Sequence, residues 1–448
     1  MTSEEKNISY HPTDGLAYDP DEPVYWQPDM LEKEIFRAFE ICQGCRMCFK
    51  FCDVFPTLFD LVDGPCEGDV RKLTGEQVER ILGGCFQCKL CEVQCPYTPR
   101  DGHEFQLDFP RLVHRYQAVK RKGRAPTLRD RVLGDPDFAA RMARASGGVV
   151  NRLNRSRVQR YVMEKSVGIH RDKLLPDFAP VPFERLAERT GRMRLGPPAE
   201  VVVFQTCFVQ HNDPRIGLDL LFVLEKNGVD ATCVRGLVCC GMPAWESGDL
   251  ETLRANASRN LERLMPYVRA GSKVLVLNPT CAMMMRREYP ELLSGEDRAR
   301  AEVLAEAIRD PGEYLWSIRR DRRFNTEFKS TPGRIAYHAP CHLRVQAVGF
   351  KGRDLLKKIP GVSITTVMEC CGHNGTFAMT VEGFEASKRI GQRAFEGMKA
   401  AQADVWASEC PLAAIQFQQH AGVKALHPVS ILARAYRTGG FPQAVAGD

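Results

Sequence analysis

The stretch "GGCFQCKLCEVQCPYTP", residues 83–99, places Cys85, Cys88, Cys91 and Cys95 within eleven positions and follows the last with Pro96. A second run, "ICQGCRMCFKFCDVFP" (41–56), repeats the ruler with Cys42, Cys45, Cys48 and Cys52. Cysteine at i, i+3 and i+6 lets one tight loop present three thiolates to three corners of an iron–sulfur cube. The fourth, four residues on, points away and reaches a neighbouring cube. On that logic Cys42, Cys45, Cys48 and Cys95 hold one [4Fe–4S] cluster, and Cys85, Cys88, Cys91 and Cys52 hold the other. Pro96 turns the chain away because it can neither donate a backbone bond nor continue a helix. The first run has Asp53 in that place, which weakens a turn and not a ligand. Paired zinc sites are the rival reading, but zinc usually draws two ligand pairs from separate loops, not a run of four twice. Cys66 fits neither set and is read as packing.

Working outward, each run follows a short amphipathic segment. "DMLEKEIFRAFEICQGC" carries Leu31, Ile35, Phe36 and Phe39 at helical spacing, and "TGEQVERILGGCFQC" carries Val78, Ile81 and Leu82. Residues 29–110 therefore read as a helical two-cluster ferredoxin domain. Residues 1–28 lack periodicity and read as an extended arm, either a disordered tail or a strap on a partner.

Residues 111–197 read as a basic helical connector, broken at Pro126, Gly134, Pro136, "SGG" (146–148) and Pro176. Between Arg111 and Lys173 stand 17 Lys+Arg and 5 Asp+Glu, a net +12, so the rest of a chain totalling +6 carries −6. Val149, Val150, Leu153, Val158, Tyr161 and Val162 make one apolar face, with Arg152, Arg155, Arg157 and Arg160 mostly off it. Such a helix suits an acidic partner or an anionic membrane surface. Nucleic acid is disfavoured, because no recognition fold accompanies the charge.

From residue 198 apolar strands alternate with helices, which implies parallel sheets with covered faces. "AEVVVFQTC" ends at Cys207, "LVCCG" holds Cys239 and Cys240, and "KVLVLNPTC" ends at Cys281. "RIAYHAPC" ends at Cys341, "VMECCG" holds Cys370 and Cys371, and "ADVWASEC" ends at Cys410. Corresponding cysteines are offset by 134, 131 and 129 residues, which marks an internal duplication into repeats 198–330 and 331–448. Each repeat offers four thiols for a metal site: Cys207, Cys239, Cys240, Cys281 and Cys341, Cys370, Cys371, Cys410. Adjacent thiolates can face one site only if the backbone turns sharply, which the following glycine permits. His338, His342 and His373 read as hydrogen-bonding neighbours, Cys233 as a buried apolar residue, and the Met283–Met285 run as packing.

"TCFVQHNDPRIGLDLL", "VCCGMPAWESG", "NPTCAMMMRREYPELL", "YHAPCHL" and "CCGHNGTFAM" resemble the duplicated CCG cysteine-rich domains of the heterodisulfide reductase B-subunit class. Within that iron–sulfur oxidoreductase superfamily the chain most resembles the C-subunit family of anaerobic glycerol-3-phosphate dehydrogenases. The resemblance implies an α+β multidomain fold and electron transfer from a flavoprotein dehydrogenase, of glycerol-3-phosphate or 2-hydroxy-acid type, towards membrane quinone. It also implies one or two further clusters, or zinc, in the CCG repeats. The reductase branch uses a fifth cysteine three residues after the last strand's cysteine; here those places hold Met284 and Ala413. Disulfide-cleaving catalysis at a CCG cluster is thus the alternative, and a zinc-binding scaffold a third reading.

No Gly-x-Gly-x-x-Gly, Walker or Ser/His/Asp pattern is present, so substrate oxidation is expected of a partner. No run of apolar residues is long enough to span a bilayer. The N-terminal residues lack an export signal. A cytoplasmic chain, peripheral on the inner face of the cell membrane, is the resulting expectation.

Overall fold

The computed structural model describes residues 8–124, 127–193 and 196–441. The first seven residues of the expected arm, the break at Pro126 and the last seven residues of the second repeat lie outside the described residues. The chain divides into two compact units: residues 1–125 with 244–250, and residues 126–243 with 251–448.

The first unit is helical. Its longest helix, Pro28–Cys45, starts on a proline whose missing N–H costs nothing at that position. It stops at Arg46 in the left-handed region (φ 55°). Leu31, Ile35, Ala38 and Phe39 from one face pack with Leu58, Val62, Ile81, Leu82 and Leu112. The helix Gly75–Gly83 opens with a reciprocal capping box between Thr74 and Gln77. Residues 8–27 lie along their own unit. Arg115, fully buried, donates to the carbonyls of Gly15 (2.6 Å), Tyr25 (2.7 Å) and Val24 (2.5 Å). Arg37 donates to the carbonyls of Tyr10 and Phe105, each at 2.8 Å. Guanidinium groups with several fixed donors can satisfy strand-less backbone that periodicity does not register. The segment 244–250 also belongs to this unit, where buried Trp245 stacks on His114 (4.9 Å) beneath the Lys89 ammonium (5.1 Å).

The second unit holds two parallel sheets. In the first, β1 (Val201–Phe204), β2 (Ala231–Cys233), β3 (Lys273–Val276) and β4 (Ile308–Arg309) run in the order β2-β1-β3-β4. In the second, β5 (Arg334–His338), β6 (Ser363–Val367) and β7 (Val405–Ala407) run β6-β5-β7. The first three strands of each sheet share one topology, central first strand included, as the duplication requires. Helices Pro214–Lys226, Leu250–Arg269 and Phe384–Ala400 occupy the expected alternating positions. One apolar core takes in Val201, Val203 and Leu275 from the first sheet and Ile335, Tyr337 and Ala407 from the second.

Two expectations change. Each Cys-Cys-Gly follows a second strand, but that strand lies upstream of the quoted stretch: β2 ends at Cys233, buried in the core, and β6 at Val367, and each pair follows in a loop. The basic segment is not one connector, because the helix Phe109–Arg121 belongs to the first unit and the following helices to the second. Its amphipathic helix is two helices, Val149–Leu153 and Arg157–Val167. Their orientation inverts the usual burial. Arg160 points inward, donating to the carbonyls of His170, Arg171 and Lys173, while Val158 is 75% exposed.

Candidate metal-cluster sites

In the first unit the eight clustered cysteines form two adjoining groups. Burial raises the Cys42 thiol well above its ordinary value, and Cys48, Cys95 and Cys45 raise it further. Cys48 is pushed up to about 12 by burial, then by Cys95 and Cys45, and Cys95 to about 11. Cys42, Cys45, Cys48 and Cys95 therefore act on one another. A small cavity is lined by the other four, Cys52, Cys85, Cys88 and Cys91, together with Phe51, Phe55, Phe86 and Phe109. Cys91 is raised by burial and by Cys85, Cys48, Cys52 and Cys42, so it lies where the groups meet. The Cys48 Sγ is 3.8 Å from the Cys91 carbonyl.

The loops that present these thiols are bent at non-glycine residues in the left-handed region: Arg46 after Cys45, and Gln87 and Lys89 on either side of Cys88. Such conformations persist only where surrounding contacts hold them. Gln87 is held by its amide bond to the Pro110 carbonyl at 3.1 Å. Cys66 is buried in the helical core.

In the second unit, Cys207 leads the helix Thr206–His211, which follows β1, and Cys281 lies in the helix Pro279–Met283 after β3. Thr206, β-branched, has φ 66°, an outlier that aims the next residue. The four thiols form a chain: Cys239 bonds with Cys207 and Cys240, and Cys240 with Cys281. Those bonds lower Cys239 and raise Cys207 and Cys240. Cys341, Cys370, Cys371 and Cys410 mirror them. Burial raises Cys341, and Cys370, Cys371 and Cys410 add to it. Cys371 and Cys410 are each pushed up to about 12 by burial. Gly241 and Gly372 follow the pairs at φ 88° and 74°. A Cβ on Gly372 would stand 2.1 Å from the Ser387 carbonyl oxygen, so only glycine fits the turn.

His338 bonds Ser408 (3.1 Å) and the Glu369 carbonyl (3.0 Å), and His342 bonds Thr280 (2.9 Å). Both are neighbours of the thiols. Met283, Met284, Met285 and Ala413 are fully buried. Among the described residues no three or more Cys, His, Asp or Glu side chains close tightly enough to hold a single metal ion.

Four thiols gathered this closely cannot all ionise without compensating positive charge. An iron–sulfide core supplies that charge over the width of a cube, so the donor chemistry fits such a group at all four places. Residues 201–286 and 335–418 each match the CCG cysteine-rich domain family. The chain carries two CCG domains. It is 27% identical over 400 residues to the C-subunit of anaerobic glycerol-3-phosphate dehydrogenase from Escherichia coli K12, covering 89% of this chain and 98% of that one. It is 25% identical over 240 residues to the B-subunit of fumarate reductase (CoM/CoB) from Methanothermobacter marburgensis, covering 53% and 45%. Lactate utilization protein A of Bacillus pumilus is 28% identical over 187 residues, covering 40% and 75%.

Sequence reasoning missed Asp137, Lys173 and Gln416, which touch the CCG loops from outside the cysteine runs. Asp137 accepts the Cys239 N–H at 2.8 Å. Gln416 links the Lys173 ammonium to the Cys371 carbonyl. Nothing in local pattern marks them, because their partners lie 102, 243 and 45 residues away.

Proposed function

We propose that this chain is an iron–sulfur electron-transfer subunit, taking electrons from a flavoprotein dehydrogenase and passing them towards quinone. The observation that carries the reading is the cavity lined by Cys52, Cys85, Cys88 and Cys91, four thiols drawn from two loops and walled by phenylalanines. Likeness along nearly the whole chain to a dehydrogenase subunit supports it. On this reading Cys42, Cys45, Cys48 and Cys95 hold one [4Fe–4S] cluster of a ferredoxin-type domain, and the cavity holds the second. Each CCG domain holds a further cluster on its four cysteines. When bound, these groups accept and release single electrons. The chain's own part is to exclude water with Phe51, Phe55, Phe86 and Phe109 and to direct backbone N–H groups at sulfur. Cys85 accepts from Gln87, Cys95 from Tyr97 and Cys371 from His373. The electron donor would be of glycerol-3-phosphate or 2-hydroxy-acid type. With Met284 and Ala413 in the fifth-ligand places, disulfide cleavage is the less supported reading.

We further infer that the chain docks on the inner face of the cell membrane. Among the described residues no helix is long and apolar enough to cross a bilayer. Val149, Leu153, Val158, Tyr161 and Val162 stand 41–75% exposed within a basic stretch, the pattern of an interfacial helix on anionic lipid.

Anaerobic purification followed by iron and sulfide counts and electron paramagnetic resonance tests the cluster reading. Four cubane-type clusters predict about sixteen iron atoms per chain. Zinc without iron or sulfide would overturn it.

A further inference from the structure

The stretch between the helix Phe109–Arg121 and β1 reaches a cysteine loop of each CCG site with a charged side chain, Asp137 directly at the first and Lys173 through Gln416 at the second, and the two are opposite in sign. At the first site, Asp137 lies in the opening turn of the helix Pro136–Ala145 with its side chain 16% exposed. Its Oδ2 accepts the Cys239 N–H at 2.8 Å, and its Oδ1 stands 2.7 Å from His211 Nε2, whose other nitrogen meets Arg144 at 2.9 Å.

At the second site, Lys173 is 3% exposed and donates to Gln416 Oε1 at 2.5 Å. Gln416 in turn donates to the Cys371 carbonyl and to Ser387 Oγ, both at 3.0 Å. Glu409, beside Cys410, is engaged by Tyr337, whose hydroxyl stands 2.8 and 2.9 Å from its two carboxyl oxygens.

Backbone N–H groups reach thiols at both sites. In the second site every thiol accepts a backbone N–H: Cys341 from His342, Cys370 from Gly372, Cys371 from His373, and Cys410 from Ala413 and Leu412. In the first, Cys239 accepts one from Gly241, while its own N–H is spent on Asp137. The sites are neighbours: Thr280 bonds His342 between them, and Cys281 acts electrostatically on Cys410.

We propose that Asp137 and Lys173 set the direction of electron flow between the CCG sites, from the first to the second. Reduction adds one negative charge to a cluster. A carboxylate beside it opposes that charge, whereas an ammonium and N–H···S bonds favour it. Cys207, Cys239, Cys240 and Cys281 would hold the group that gives up one electron, and Cys341, Cys370, Cys371 and Cys410 the group that takes it up. No bond forms or breaks. A reduced flavin upstream supplies the electron and a quinone downstream removes it. The inference rests on the reading that both domains hold clusters. Asp137 and Lys173 are positioning residues that act through the ligands.

The test is a redox titration of the full-length protein at about pH 6, below the value of about 7 to which burial brings Lys173, followed by electron paramagnetic resonance. Cys207→Ser and Cys341→Ser identify which signal belongs to which site. In the wild type, the signal lost in Cys341→Ser is expected at the higher potential. Lys173→Met should lower that signal alone, and Asp137→Asn, which keeps an acceptor for Cys239, should raise the other alone. Each should change the sharing of the electron about tenfold, about 59 mV for one electron. Lys173→Arg should hold the wild-type value, as a packing role would not require. An inverted order in the wild type overturns the proposal without any variant, as do shifts of equal sign or none. If neither serine variant loses iron or a signal, the cluster reading itself fails.

Discussion

Thr280 and His342 meet at 2.9 Å with both side chains buried, one from each CCG domain. The bond ties the helix after β3 to the helix Cys341–Val345 after β5, at the carboxyl ends of the central strands where both thiol sets gather. Gln346 reinforces it, donating to the carbonyls of Pro279 and His342. Replacing Thr280 with valine keeps the volume and removes the hydroxyl, leaving a buried imidazole nitrogen without that partner. The expected cost is about 1–2 kcal/mol, read as a lower denaturant midpoint with unchanged slope. An unchanged midpoint would show that the bond is dispensable.

The two thiol groups of the first unit predict separable losses. Cys45→Ser and Cys88→Ser should each remove about four iron atoms and a different resonance signal. Cys66→Ser should remove neither, since Cys66 packs in the helical core. Equal spectra from the first two variants would contradict the grouping.

Arg115 holds the arm by donating to carbonyls of Gly15, Val24 and Tyr25. Arg115→Ala should free residues 8–27 at a local cost of about 3 kcal/mol, roughly one per lost bond. Hydrogen exchange in that segment should then rise at least tenfold. Arg115→Lys should recover little, because one ammonium cannot span the same carbonyls. Protection that survives the alanine change would move the arm's anchor elsewhere.

Burial holds the His427 imidazole down to about 3, while an unfolded chain titrates near 6.5, so between those values the folded state binds fewer protons. Its contribution to stability is present above about pH 6.5 and is lost as pH falls towards 3, by about 2 kcal/mol between pH 6.5 and 5. His427→Asn keeps an acceptor for the Val429 N–H at the helix start and should flatten that part of the pH–stability curve. The remaining slope belongs to groups such as His338 and His420, both held down to about 4 by burial. A curve of wild-type steepness in the variant would remove His427 from the account.

Val158 and Tyr161, exposed at 75% and 49%, are expected to enter an anionic bilayer. The paired change Val158→Glu with Tyr161→Glu should reduce co-sedimentation with phosphatidylserine-containing vesicles by tenfold or more. Wild-type binding should weaken with salt. Equal binding by wild type and variant would sink the interfacial reading.

The amino-acid sequence by itself determined the eight-cysteine ruler, the duplicated β-α alternation and the matched spacing of Cys207/Cys341, Cys239/Cys370 and Cys281/Cys410, because those features live in local periodicity and chain distance. It placed three long helices and the strands before Cys207, Cys281, Cys341 and Cys410, whereas the strands before the two cysteine pairs, Ala231–Cys233 and Ser363–Val367, lie upstream of the stretches that hold them. Only the tertiary structure decided what surrounds the thiols. Arg160 turned inward and sent Val158 to solvent because three carbonyls of a returning loop could satisfy its guanidinium. Asp137 and Lys173 reached opposite sites for the same physical reason: a buried charge settles where distant backbone and side chains can bond it, and that position is a property of the folded chain and not of any local pattern.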